Sequence, residues 1–184
     1  MSDKILNIFI LDHDVEKCAE YHVDSHTGII ALELAQMLST AHRVLDGIKS
    51  IGKSRTGRKQ TIFKLINNDE LIYKATHINH PSSLWIRENS ANYQWAFRLF
   101  CALSNEYTYR YGKVHLSYSK LSDILYDAPV NIVQSNQMTP FALAMPDQYQ
   151  NPSDAVESYR AYYNGDKRHL FAWKNRPIPE WITN

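Results

Sequence analysis

The chain has little of what usually announces a function. Two cysteines, Cys18 and Cys101, stand far apart. That excludes a disulfide framework and fits no zinc-ligand spacing, so they read as buried free thiols of a reducing compartment. Lysine and arginine total 20 against 19 aspartates and glutamates, a net charge of +1. Such a balance argues against a dedicated nucleic-acid surface, although it leaves room for a local basic patch. No apolar run reaches the roughly 18 residues of a membrane span. The opening MSDKILNIFILDHD has too short an apolar run, with acidic flanks, to read as a signal peptide. There is no internal repeat, low-complexity tract, CxxC pair or GxGxxG. No Ser or Cys nucleophile has an evident partner set. Plentiful instead are Tyr (12), Trp (4) and His (8), residues that serve polar pockets and interfaces alike.

The apolar periodicity predicts one mainly α (α+β) domain over 1–184, with a helical bundle-like core, a short N-terminal strand and a small β-hairpin. Residues 6–11 read as the strand. Asp14 is placed to cap a helix to about Tyr21, and Asp24 or Ser25 to cap a longer one ending before Gly47. On that helix Ile30, Leu34, Met37, Ala41 and Val44 form one apolar stripe. Residues 48–60 read as a mobile basic loop. TIFKLI and ELIYKAT, flanking Asn67-Asn68-Asp69, read as the hairpin. Pro81 or Ser82 opens a further helical region, Ser90 a long helix to Tyr111, and Gly112 closes it. Shorter helices fall over 117–126 and from Ser153 to Asn164, and 173–184 reads as an ordered C-terminal arm rich in Trp and Pro.

Residues 71–115 interleave His77, His80, Arg87, Glu106, Arg110 and His115 with Trp85, Tyr93, Trp95, Tyr107, Tyr109 and Tyr111. Polar groups in a segment apolar enough for a core need partners, so the pattern points to a polar pocket within helices. His77 and His80 flank the strand exit before Pro81, a position suited to an anion. Tyr107, Arg110, Tyr111 and His115 cluster at a helix end, where a phosphate would meet several donors. His22, His26 and Glu33 sit four and seven residues apart on one face. His26 and Glu33 are therefore the candidate acid/base pair, although core-edge hydrogen bonding accounts for them more simply. The pattern Gly47-x-x-x-x-Gly52-Lys53-Ser54 matches a phosphate loop, but it lacks the preceding strand and following helix such a loop needs. Asp12-His13-Asp14 carries two carboxylates, one of them explained as a helix cap. Neither a metal nor a cofactor is expected.

Several stretches carry a likeness: NIFILDHD, LAQMLSTAHRVLDG, LIYKATHINHP, EYTYRYGKVH, PFALAMPDQY, YRAYY and WKNRPIPEWI. They resemble those of a family of small proteins encoded by tailed bacteriophages, including phages of cyanobacteria. The likeness covers most of the chain outside 48–62. It implies a phage protein in the cytoplasm of an infected bacterial cell and brings no activity. It departs after His26, where Thr27, Gly28, Ile29 and Ile30 stand in place of the family's lysine.

Together these features lead to an expected accessory protein that binds a nucleotide or related phosphorylated small molecule through His22, His77, His80, Arg87, Tyr107, Arg110, Tyr111, His115 and Arg176. Its purpose would be counter-defence, by sequestering a host nucleotide signal. Two alternatives are a hydrolase or transferase acting on nucleotides through His26 and Glu33, and an inhibitor that binds a host protein. The aromatic tail also offers a homo-oligomer interface. Neither a membrane nor a nucleic acid is an expected partner.

Overall fold

A computed structural model describes residues 7–54 and 56–183. The helices are α1 (Val15–Tyr21), α2 (Asp24–Asp46), α3 (Pro81–Ile86), α4 (Ser90–Tyr111), α5 (Leu116–Leu125) and α6 (Ala155–Asp166). β1 (Ile48–Lys53) and β2 (Lys59–Lys64) pair antiparallel. The class is mainly α with one small sheet among the described residues. No helix among them is long and apolar enough to cross a membrane.

The long helices α2 and α4 pack against each other and carry the core. Ile30, Leu34, Met37 and Ala41 of α2 are buried, as are Tyr93, Phe97 and Phe100 of α4. Local chemistry sets the helix ends. The Asp14 carboxylate accepts from the Lys17 amide, and Asn89 from that of Asn92. Gly112, at φ 67°, closes α4 in the left-handed conformation that glycine adopts without strain. The N-cap of α2 differs from the expectation. It is Val23, with no side-chain cap, because the Asp24 carboxylate is drawn to Arg110 and to the Lys174 amide.

Three expectations are corrected. The described part of the N-terminal segment, residues 7–11, is buried but forms no strand; Leu6 lies outside the described residues. Its backbone is satisfied by side chains instead. Asn7 N–H donates to Glu33 Oε2 (3.1 Å), and the Cys18 thiol donates to Phe9 O (3.3 Å). The stretch 48–60, expected as a loop, is strand β1, a turn around Gly57 (φ 81°), and the start of β2. The hairpin partner of TIFKLI therefore precedes it, and ELIYKAT pairs with nothing. The reason is Arg43, which is buried on α2. Its guanidinium donates to the carbonyls of Phe63, Asp69, Ile72 and Tyr73 and to the Asp69 carboxylate, consuming acceptors a ladder would have used.

Candidate functional site

Where α2 begins and α4 ends, a cleft of about 420 Å³ opens on the surface, lined by Asp24, Ser25, Gly28, Ile29, Leu32, Tyr107, Tyr111 and His115. Its size falls in the range of small-molecule sites. One wall is aromatic: the rings of Tyr107 and Tyr111 lie 4.9 Å apart, and His115 meets Tyr107 edge-on at 5.2 Å. Gly28 lets the Tyr107 ring lie close against α2. A Cβ there would stand 3.2 Å from the Tyr107 ring. Ile29 and Leu32 leave an exposed apolar edge on the other side. The Tyr111 hydroxyl donates to Asp24 O (3.2 Å), and Lys174 holds its ammonium 5.3 Å from the Tyr111 ring centre. Lys174 pairs with no carboxylate among the described residues. Burial holds the His115 imidazole below its ordinary range, an effect opposed by the nearby Gly28 backbone. Its Nδ1 is buried without a partner.

Behind the cleft lies an ion network whose charges are spent on one another. Arg110 is fully buried. It donates to Glu106 Oε1 (2.6 Å), Asp24 Oδ1 (2.9 Å), His22 O (2.9 Å) and Glu20 O (2.9 Å). Arg176 reaches the opposite side of Glu106 and pairs with Glu20 (3.2 Å) while lying 4.4 Å from the Tyr109 ring centre. Desolvation pushes the Glu106 carboxyl up, but hydrogen bonds from Arg176 and Arg110 outweigh it and hold the group below its ordinary value.

The remaining candidates do not join this cleft. His22 is buried with Nδ1 donating to Cys18 O (2.6 Å), and burial lowers its pKa to about 4. His26 shares a hydrogen bond with the Tyr163 hydroxyl and stacks on Phe9 at 4.8 Å; burial takes it to about 3. Glu33 accepts from Asn7 and forms no hydrogen bond with His26; burial raises it to about 7. His80 caps α3 through the Ser82 amide, and His77 bonds Thr76. The Thr76 amide donates to Thr40, twelve residues along α2 from Gly28, which is roughly 18 Å of helix. His77 and His80 therefore belong to the far end of the molecule from His115. Arg87 lies with Leu84, Trp85 and Pro140 in a different surface depression.

Of the nine expected ligand contacts, the cleft thus holds Tyr107, Tyr111 and His115. Arg110 and Arg176 support it from behind. Sequence reasoning missed Gly28, Ile29, Leu32 and Lys174, whose signals are those of any helix face or tail. Asp12 of the acidic motif pairs with Arg160 (3.1 Å), and Asp14 caps α1. Among the described residues, no group of three or more His, Cys, Asp or Glu is arranged to hold a metal. The chain matches no family model, no curated protein and no solved structure.

Proposed function

We propose that the protein binds a small ligand with a flat aromatic ring and an anionic group, of the nucleotide kind, in the Tyr107–Tyr111–His115 cleft. One observation carries this reading. Three ring side chains line a cleft of ligand size, and the ammonium of Lys174 lies beside Tyr111 without a carboxylate partner. Ring faces take a base by stacking, and a lysine at the edge takes a phosphate as a point charge. The cleft favours binding over catalysis. Among the lining residues the one carboxylate, Asp24, is committed to Arg110 and the Lys174 amide and forms no hydrogen bond with the His115 imidazole. In an infected cell, the setting that the likeness to phage proteins implies, such a binder would act by sequestering a nucleotide signal.

The test is calorimetric titration with adenosine monophosphate and with adenosine. Both should bind. Tyr107→Ala should weaken both by about tenfold, the scale of one lost base–aromatic stack. Lys174→Ala should weaken only the monophosphate. If neither compound binds, or if both variants bind like the parent, the reading is overturned.

A second reading rests on Glu33. Its carboxyl, raised to about 7, is poised to exchange a proton near neutrality. It faces Asn7 rather than the cleft, so an acid/base role would belong to a separate site.

A further inference from the structure

The net charge of +1 is an average over two oppositely charged parts. Residues 48–64 contain six of the 20 lysines and arginines and none of the 19 aspartates and glutamates. The rest of the chain therefore holds 14 basic against 19 acidic residues, a net of −5. The basic part is not a loop draped over the body. It is the β1–β2 ribbon, whose residues are exposed or half-exposed on both faces.

The register places the charges. Lys49, Lys53 and Lys59 share one face, with Lys49 opposite Phe63 and Lys53 directly opposite Lys59. Lys64, opposite Ile48, belongs to the other face, and Arg58 stands in the turn just before β2. None of these five cations lies within ion-pair distance of a carboxylate among the described residues. Like charges directly opposite across a strand pair repel. The Lys53–Lys59 pair near the ribbon tip is thus a local cost that an anion between the two ammonium groups would remove.

From this geometry we infer that the β1–β2 ribbon is a docking arm for duplex nucleic acid, gripping backbone phosphates through Lys49, Lys53, Arg58, Lys59 and Lys64. A two-stranded ribbon fits the width of a DNA major groove, where phosphate rows flank it on both sides. Cations on both faces suit that setting. A membrane is a plane and would engage one face only. A single strand would call for exposed aromatic stacking faces, whereas the ribbon's one aromatic residue, Phe63, is half-buried at its base. Ile51, 79% exposed between Lys49 and Lys53, offers an apolar contact toward base edges. The inference is independent of the small-ligand cleft, since Lys53 and Lys59 do not line it.

The experiment is fluorescence anisotropy of the full chain with a labelled mixed-sequence DNA duplex of about 20 base pairs, across a salt series starting near 50 mM. Binding should weaken as salt rises. The Lys53→Gln/Lys59→Gln variant should lower the log–log salt slope by about 2 and reduce affinity at low salt about tenfold or more. Its melting temperature should match or exceed the parent's, because the facing charges are gone. If that variant does not fold, Lys49→Gln/Lys64→Gln carries the same slope test at positions that do not face each other. The inference is overturned if the duplex does not bind, if binding is indifferent to salt or to these substitutions, or if a single strand or phosphatidylserine vesicles bind more tightly than the duplex.

Discussion

Arg176 closes on Glu106 across 70 residues of sequence, its Nε and Nη2 meeting Oε1 and Oε2 at 3.0 and 2.8 Å. Arg110 takes the same Oε1 from within α4. One buried carboxylate thus fastens the C-terminal segment to the helix that forms the cleft wall, and most of the outcomes below depend on that joint.

Arg110→Met should destabilise the fold by about 3–5 kcal/mol in urea titration, because it leaves the Glu106 carboxylate buried short of a partner and frees Asp24. Arg110→Lys should also be costly, since an ammonium cannot reach four acceptors spread around a planar guanidinium. Near-parent stability of the lysine variant would show that charge alone matters there.

Acid should loosen the C-terminal segment first. Glu106 is held below its ordinary value in the folded state. Its contribution is therefore present above the unfolded carboxyl pKa and is lost as pH falls through the folded one. Melting curves from pH 6 down to about 3 should drop less steeply for Arg176→Ala than for the parent. Equal slopes would remove Arg176 from the account.

Glu33 has the opposite sign. With its pKa raised from 4.5 to about 7, its stabilising effect is complete below about 4.5 and lost as pH climbs through 7. Glu33→Gln keeps an acceptor for the Asn7 amide and should be more stable than the parent at pH 8, by on the order of 1–3 kcal/mol. The two should converge at pH 4. A Gln variant that is weaker at both pH values would contradict the raised pKa.

Gly28→Ala and Gly28→Leu should separate stability from binding. Glycine within α2 costs about 0.5–1 kcal/mol against alanine, and the added methyl asks only a few tenths of an ångström of the half-buried Tyr107 ring. The alanine variant should melt at or above the parent. The leucine variant should fill the cleft and abolish nucleotide binding while remaining folded. Retained binding with leucine would place the ligand elsewhere.

Deleting the chain from Trp173 onward should cost about 3–5 kcal/mol, the scale of one buried tryptophan, because it removes two half-buried ones. It removes the Trp173 indole bond to Tyr21 O (2.9 Å), the packing of Trp181 on Tyr21 and Tyr163, and the Arg176–Glu106 pair. An unchanged melting temperature would show that the tail adds nothing to the fold.

What the sequence determined by itself is local. Apolar stripes at helical spacing marked α2 and α4, because burial of one face needs only the residues of that helix. Asp14 and Gly112 act on an amide or a dihedral within their own turn, so those caps are legible in one dimension, whereas the cap of α4 is Asn89, one residue before the expected Ser90. The aromatic and histidine cluster at the end of α4 was equally visible, and Tyr107, Tyr111 and His115 do share a cleft.

Only tertiary structure decided where long side chains spend their hydrogen bonds. Arg43 strips the carbonyls from 69–73 and so moves the hairpin one strand earlier. Arg110 and Arg176, which read as ligand groups, are consumed by Glu106, Glu20 and Asp24. His77 and His80 lie near His115 in sequence yet opposite it in space, because α2 holds the two segments at different ends of its length. For the arginines the reason is shared. An arginine reaches several acceptors at once, and nothing in its sequence neighbourhood says which ones the fold will bring within hydrogen-bonding distance.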